Sequence, residues 1–141
     1  MITRFRAWYT PFKGETIGQE MKYGQAGRLI THAEMAPDKY VLMQSTGLKD
    51  KNGVEIFEGD VALITHKSTN YADTYWHSYV EVFRAKNGAY RIRGEHIYET
   101  ELYSNRKQLT VAGNIYNSPE LLKRDRFMTT TENPELLEEQ R

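Results

Sequence analysis

The sequence has no cysteine among its 141 residues. This absence excludes a disulfide framework, a thiolate nucleophile and a zinc site made from thiolates. It is typical of a protein that works in a reducing compartment. The four histidines lie in separate segments, and no two of them have the spacing of a helical ligand pair. We therefore expect no metal site and no cofactor.

Net charge is absent as well, because 19 lysines and arginines balance 19 aspartates and glutamates. The total charge therefore does not favour a nucleic-acid partner, which would need a local basic patch. No apolar run approaches the roughly 20 residues that span a bilayer. The first residues, MITRFRAWYTPFKG, also lack the apolar core of a signal peptide. We expect a cytoplasmic protein with no membrane partner.

What the sequence does contain is turn chemistry. Its length fits one domain with one core. The organising stretch is residues 43–64, where a turn-rich run leads into two short apolar strands. Asn52-Gly53 is the dipeptide that accepts positive φ at both central turn positions, and Gly59 offers the same freedom. These residues predict that the backbone reverses twice within this stretch.

Alternation of apolar and polar residues predicts further strands. The clearest hairpin has the turn Lys86-Asn87-Gly88 between two alternating segments. Gly113 marks a bulge or bend in the closing strand. The predicted strands cover residues 2–9, 29–32, 40–44, 54–57, 61–65, 79–83, 89–93 and 109–116.

Three connections and the C-terminal end complete the predicted organisation. Residues 11–27 are glycine-rich and predict a loop or irregular hairpin, and residues 66–78 predict a long polar and aromatic connection. Residues 95–103 fit a short helix or an irregular strand equally well. At the C-terminal end, Ser118-Pro119 and Asn133-Pro134 each predict the start of a short helix, with a flexible joint over residues 129–131.

Together these patterns favour a mainly β (β-rich α+β) fold. We expect a small, strongly bent antiparallel barrel or sandwich, for which the SH3-like class is one candidate. An N-terminal strand region would precede it, and a short C-terminal helix would close it.

The candidate interaction surface comes from two segments. Residues 66–78 carry large aromatic side chains, which dominate the anchors of protein interfaces. On the first strand, Arg4 and Arg6 flank Trp8 and could stack on a base or hold a carboxylate. Two alternatives stay open: the aromatic side chains fold back onto the barrel wall, or the arginines are solvated beside a tryptophan at the core edge. The full candidate set is Tyr71, Tyr75, Trp76, His77, Arg4, Arg6 and Trp8.

Catalytic signals are weak. Glu58 and Asp60 bracket Gly59 and are interpreted as turn carboxylates that accept nearby backbone amides. A carboxylate pair can also perform acid and base chemistry, so a hydrolase using Glu58 or Asp60 near a histidine remains a third hypothesis. No serine lies in a Gly-x-Ser-x-Gly motif. We therefore expect no enzyme and assign no catalytic residue.

Three blocks of sequence belong together: RFRAW at residues 4–8, MQSTGLKDKNGVEIFEGDV at 43–61 and GNIYNSPELL at 113–122. They resemble, in order, the hallmark blocks of the YopX family of phage and prophage proteins. The resemblance implies a protein encoded by a bacteriophage or prophage of a Gram-positive bacterium. It implies no established activity, so it transfers no catalytic residue.

The resemblance also implies a division of the chain. Residues 1–123 would form a single YopX-like domain, with N-terminal strands and loops over 1–53 and a barrel-like core with the terminal helix over 54–122. Residues 124–141 would form a tail that is partly helical or flexible.

Two main functional hypotheses follow. The first is a non-enzymatic protein-binding module, a phage accessory or host-modulating protein, whose partner is a phage protein, a host protein or a second copy of itself. The alternative is a nucleic-acid-binding accessory protein. Its contacts would come from exposed strand faces bearing Arg4, Arg6, Trp8, Arg91 and Arg93.

Overall fold

The computed structural model of the chain describes residues 4–134. Strands account for 46% of the structure and helices for 16%, and the sheet is strongly curled into a half-barrel. These proportions confirm the prediction of a mainly β fold with few helices.

The described residues form ten strands, one α-helix and two 3-10 helices. The strands are β1 (Phe5–Tyr9), β2 (Glu20–Gly24), β3 (Tyr40–Lys49), β4 (Glu55–Phe57), β5 (Asp60–Lys67), β6 (Tyr75–Arg84), β7 (Tyr90–Gly94), β8 (Ile97–Glu101), β9 (Leu109–Asn114) and β10 (Phe127–Thr129). The α-helix, α1, spans Ala26–Met35, and the 3-10 helices span Tyr103–Gln108 and Pro119–Lys123.

The strands form two antiparallel sheets. The first has the order β2-β1-β3-β4, and the second has the order β8-β7-β6-β5-β9. The tenth strand, β10, pairs with β6 opposite Tyr75, Trp76 and His77. Since β7 pairs with the other end of β6, at residues 81–84, one long strand carries two neighbours along the same edge.

The turn between β3 and β4 is organised by a buried carboxylate. Asp50 Oδ1 accepts the amides of Asn52 and Val54 at 2.8 and 2.9 Å, and Asp50 Oδ2 accepts the amide of Val111 on β9 at 2.8 Å. Only Gly53 of the predicted dipeptide has a positive φ, at 81°. The prediction of positive φ at Asn52 is therefore wrong, because the Asp50 side chain closes the turn instead.

The turn between β4 and β5 follows the prediction. Gly59 has a φ of 86°, and the Phe57 amide donates to Asp60 Oδ2 at 2.8 Å. A side chain at position 59 would place its Cβ 2.9 Å from Met43 Sδ. The backbone conformation favours glycine here, and a Cβ would also force the Met43 side chain of β3 to shift.

The core occupies both faces of the β5–β6 pair. On one face, Ala62 and Ile64 join a cluster with Val80 and Val82. On the other, Val61 and Leu63 pack with Tyr79. Because successive residues point to opposite faces, β5 and β6 are covered on both sides, as the sequence predicted for the first of them. The larger cluster is completed by Ile56, Ile92, Leu102 and Leu109.

The helix α1 corrects the prediction for residues 26–32. A loop up to residue 27 and a strand over 29–32 were expected, but Ala26–Met35 is helical. Ala26, Leu29, Ile30 and Ala33 do have helical spacing, and Leu29 is the buried residue that anchors the helix. The four residues LITH alone fit a short strand as well as a helix. The helical spacing becomes clear only when Ala26 and Ala33 are included.

Three strands are longer than predicted. The strand β5 continues to Lys67 and β6 begins at Tyr75, so the connection shortens from residues 66–78 to residues 68–74. The long-loop prediction is wrong for Tyr75, Trp76 and His77, because they lie on β6. The strand β3 likewise continues past residue 44 to Lys49.

The C-terminal half contains a short strand, a bulge and a 3-10 helix, which can be compared with the remaining predictions. Residues 95–103 contain the strand β8, and the predicted bulge at Gly113 is confirmed, because Val61 faces Gly113 while Ala62 faces Val111. Ser118 precedes a 3-10 helix but makes no capping side-chain bond.

The prediction of a flexible joint over residues 129–131 is wrong for Thr129, because Thr129 belongs to β10. The second predicted helix, over residues 133–137, lies outside the described residues from position 135 onwards.

Candidate functional site

The candidate site lies where the β5–β6 hairpin meets the C-terminal segment, defined here as residues 124–134. In this segment β10 runs antiparallel to the start of β6, with Phe127 opposite His77, Met128 opposite Trp76 and Thr129 opposite Tyr75. Side chains that the sequence assigned to an open loop are therefore held in a sheet.

His77 is fully buried at the centre of this arrangement. Its Nδ1 lies 2.8 Å from Thr65 Oγ1, and its Nε2 lies 2.7 Å from Thr129 Oγ1. The Phe127 ring packs beside the imidazole with 5.0 Å between centroids. His77 therefore links β5 to β10, and its predicted place on an exposed interaction surface is wrong.

Trp76 is half-buried on the opposite face of β6. The Arg126 guanidinium lies 4.3 Å from the indole centroid, a distance typical of a cation–π contact. His66 and Met128 are its direct cross-strand neighbours. Partial burial lowers the pKa of His66, which favours the neutral imidazole.

Two exposed residues are neighbours of Trp76, one in strand pairing and one in the preceding connection. Met128 is 47% exposed, and Tyr71 in the adjoining connection is 62% exposed. We call His66, Tyr71, Trp76 and Met128 the aromatic patch. Of the predicted set, the patch contains Tyr71 and Trp76.

A small pocket of about 220 Å³ opens beside the other face of β5 and β6. The Tyr75 hydroxyl donates to Glu132 Oε1 at 3.0 Å, and the hydrogen bond to this carboxylate raises the pKa of Tyr75. Lys51 Nζ donates to the Glu132 carbonyl at 2.9 Å and to Asn133 Oδ1 at 3.0 Å. We call this the lysine pocket; its lining is Lys51, Thr65, Lys67, Tyr75, Lys107, Gln108 and Glu132.

The predicted residues of the first strand do not join this site. Trp8 is 8% exposed and stacks on Tyr116 with 5.4 Å between ring centroids, and Arg6 is 4% exposed. Arg4 is exposed, but it pairs with Glu55 and lines a separate open groove of about 860 Å³. The prediction of an exposed surface is therefore wrong for Arg6 and Trp8.

Arg6 is committed to the protein interior. Its Nη2 lies 2.8 Å from Asp60 Oδ1 and donates to the Glu58 carbonyl at 3.2 Å, while its guanidinium covers the Phe57 ring. Burial raises the pKa of Asp60 to about 6, because the cost of desolvating the carboxylate exceeds the attraction of Arg6. Nothing in the sequence pattern links these two distant residues.

The remaining arginines of the nucleic-acid hypothesis have glutamate partners. Arg91 Nε lies 2.9 Å from Glu99 Oε2, and Arg93 Nε lies 3.2 Å from Glu81 Oε1. The Arg93 guanidinium also covers the Phe83 ring at 4.0 Å. These contacts reduce the positive charge that the two strands offer to a phosphate backbone.

The turn carboxylates are occupied by structural contacts. Glu58 Oε1 accepts the Gln44 amide at 3.2 Å, and Asp60 is held by Arg6 and the Phe57 amide. Because His77 faces Thr65, five positions along β5 from Asp60, the histidine lies roughly 16 Å away along the strand. Within residues 4–134, no three histidine or acidic side chains are arranged to hold a metal ion.

These features define a small, curled β protein in which a C-terminal strand covers one end of a central hairpin. None of the helices in the described part of the chain has the length and apolar character needed to cross a membrane.

The chain belongs to the YopX family, since the family model described as YopX protein matches residues 4–123. The crystal structure of protein EF1440 from Enterococcus faecalis is 29% identical in sequence with a TM-score of 0.49. That similarity covers 86% of this chain and 99% of the other. No curated protein matches. The C-terminal segment begins where the family match ends.

Proposed function

We propose that this chain is a phage- or prophage-encoded, non-enzymatic protein-binding module that acts in the cytoplasm of the bacterial host. Its contact surface is the aromatic patch. Its partner is a protein of the phage or of the host, and self-association through the same patch is one form of this function. Membership of the YopX family supports the phage assignment.

The observation that carries the proposal is the fixed, half-buried indole of Trp76 beside exposed Met128, with exposed Tyr71 in the connection that leads into β6. Aromatic residues and methionine are enriched at the centres of protein interfaces, because they bury large areas. Arg126 and the cross-strand pairing hold the indole in place before any partner arrives. A preorganised anchor loses less side-chain entropy on binding.

The carboxylates support a role without catalysis. Asp60 is 1% exposed and bound to Arg6, and Glu58 accepts a backbone amide of β3. A general acid or base needs access to its substrate proton. We therefore assign these two side chains to the architecture of the turn.

The test compares two double variants in pull-down from nuclease-treated lysates of infected and uninfected host cells. Tyr71→Ser with Met128→Thr alters the patch, while Tyr98→Ser with Tyr103→Ser alters two tyrosines that are 96% and 61% exposed elsewhere. We expect wild type and the control to retain the same protein and the patch variant to lose it. Equal retention by both variants, or no protein retained by wild type from either lysate, contradicts the proposal.

Self-association and nucleic-acid binding need their own measurements. Sedimentation equilibrium should show the same loss in the patch variant if the partner is a second copy. Titration with labelled single- and double-stranded DNA at low salt should show no binding, because phosphate contacts are strongest there. DNA binding that weakens steeply with salt would favour the nucleic-acid alternative instead.

A further inference from the structure

We propose that the edge of β6 at Tyr75–His77, together with the lysine pocket, is a docking slot for an extended peptide that carries an acidic side chain. In this chain the slot is filled by the C-terminal segment, which acts as a displaceable strap. This inference rests on the proposed function, because it takes the chain to be a protein-binding module and adds a second contact surface next to the aromatic patch.

The first element of the slot is a strand edge. The strand β7 pairs with β6 only over residues 81–84, so residues 75–77 present an edge that needs another partner. The strand β10 provides it over Phe127–Thr129. Adding a short strand to an exposed sheet edge is a general mode of peptide recognition, in which main-chain hydrogen bonds supply affinity.

The second element is the set of side-chain contacts, which alternate as a bound strand requires. Phe127 packs on His77 and on the smaller core cluster, and Thr129 Oγ1 lies 2.7 Å from His77 Nε2. Arg126 lies over Trp76 on the other face. The slot therefore accepts an aromatic residue and, two positions later, a hydroxyl residue.

The third element is charge. Among the described residues that line the lysine pocket, Lys67 and Lys107 lie near the carboxylate of Glu132, and Lys51 bonds to the backbone and side chain of residues 132 and 133. Among residues 4–134, neither Lys67 nor Lys107 forms an ion pair, so the described lining carries more positive than negative charge. An acidic side chain three positions after the hydroxyl residue accepts a hydrogen bond from the Tyr75 hydroxyl. Its negative charge is also attracted by the lysines of the pocket.

The segment that fills the slot lies outside the family match. The slot residues lie inside the family match over residues 4–123, and the C-terminal segment follows it. A tethered segment competes at an effective concentration of order millimolar, so it raises the concentration at which an outside peptide binds. Weakening the strap should therefore expose the slot.

The experiment uses the full chain and a labelled peptide with the sequence of residues 124–134, RDRFMTTTENP. Fluorescence anisotropy measures its binding to wild type, to an opened variant with Phe127→Ser and Thr129→Gly, and to a milder variant with Glu132→Gln. We expect the opened variant to bind the peptide about tenfold or more tighter than wild type, and the milder variant to show a smaller gain. Circular dichroism verifies that each variant is folded.

Two controls identify the slot. In the opened background, Lys67→Glu with Lys107→Glu should weaken peptide binding about tenfold, while Lys13→Glu with Lys86→Glu should leave it unchanged. A peptide with glutamine in place of its glutamate should also bind more weakly. No gain in affinity in either folded strap variant, or equal losses from both lysine pairs, overturns the proposal.

The two proposals fail separately. Peptide binding that follows this pattern without any captured protein supports the slot and counts against the aromatic patch as a partner surface. Captured protein without peptide binding supports the aromatic patch and counts against the slot. A concentration-dependent dimer that forms only when the strap is intact, and that Tyr71→Ser leaves unchanged, would assign the segment to exchange between two copies and overturn the slot.

Discussion

Arg6 on β1 and Asp60 on β5 meet 2.8 Å apart in the interior, and this contact ties the two sheets together. Their side chains are 5% and 1% exposed. Removing these two charges from water carries a desolvation penalty, and the attraction between them offsets only part of it. The pair therefore constrains how the sheets meet more than it adds net stability, and removing one partner leaves an uncompensated buried charge.

Replacing Arg6 alone should be strongly destabilising. We expect Arg6→Met to lower the free energy of unfolding by about 3–5 kcal/mol, because it leaves Asp60 buried without its cation. Arg6→Met with Asp60→Asn should recover part of this loss. Arg4→Met is the matched control, since Arg4 is exposed and its pair with Glu55 contributes about 1 kcal/mol or less. Urea unfolding measures all three; an equal effect at both arginines would contradict the prediction.

Asp60 should make stability depend on pH. Its pKa is raised from 3.8 to about 6, so between these values the folded state keeps a proton that the unfolded state has lost. The contribution of Asp60 to the free energy of unfolding therefore falls as pH rises through this window, by about 3 kcal/mol in all. Below pH 3.8 this penalty is absent, and above pH 6 it is fully present.

The pH effect is measured as a difference. Urea unfolding of wild type and Asp60→Asn at steps between pH 3.5 and 7 should show that the wild type loses stability relative to the variant as pH rises. Other carboxylates titrate in both proteins and cancel. Parallel pH profiles would show that Asp60 does not titrate in this range.

Asp50 should be the most sensitive turn residue. Its carboxylate accepts three backbone amides, two in the β3–β4 turn and one on β9. We expect Asp50→Ala to cost about 3 kcal/mol, because three partly buried amides lose their carboxylate acceptor. Asp38→Ala, in an exposed turn, should cost less than about 0.5 kcal/mol. Thermal unfolding distinguishes the two variants, and similar losses would contradict the prediction that Asp50 stabilises the turn through its three amide hydrogen bonds.

Gly94 should not tolerate a side chain. A Cβ there would lie 2.7 Å from the Tyr79 carbonyl oxygen, which belongs to the neighbouring backbone. We expect Gly94→Ala to destabilise the protein by about 1–3 kcal/mol through the shift of β7 away from β6. Gly24→Ala, which would meet nothing within 4 Å, is the control and should be near neutral. A neutral Gly94→Ala in urea unfolding would mean that the strands separate there at little cost.

The local parts of the fold could be predicted from sequence. Gly59 and Gly88 adopt the positive φ that their turns require, and alternation located most of the strands. Local signals failed where they were short. The helix α1 rests on one buried residue, Leu29, and a three-residue strand such as β10 is too short to show a period.

The candidate site was predictable only in part. Aromatic residues drew attention to the start of β6, but no local pattern indicates that Phe127 and Thr129 would cover His77. The pairing of Arg6 with Asp60 was equally hidden, since ion pairs between distant segments follow no spacing rule. Both depend on tertiary contacts that the chain specifies only after its strands have assembled.

Because β6 lies between β5 and β7 in the sheet, the rate of deuterium uptake should differ strongly along the sheet. Val80 and Val82 are fully buried on this strand, so their amides should exchange with solvent only when the whole molecule unfolds. The edge strand β8, with Tyr98 almost wholly exposed, should exchange through fraying long before that. The chain thus has a slow-exchanging centre and a fast-exchanging margin, separated by a single strand, β7.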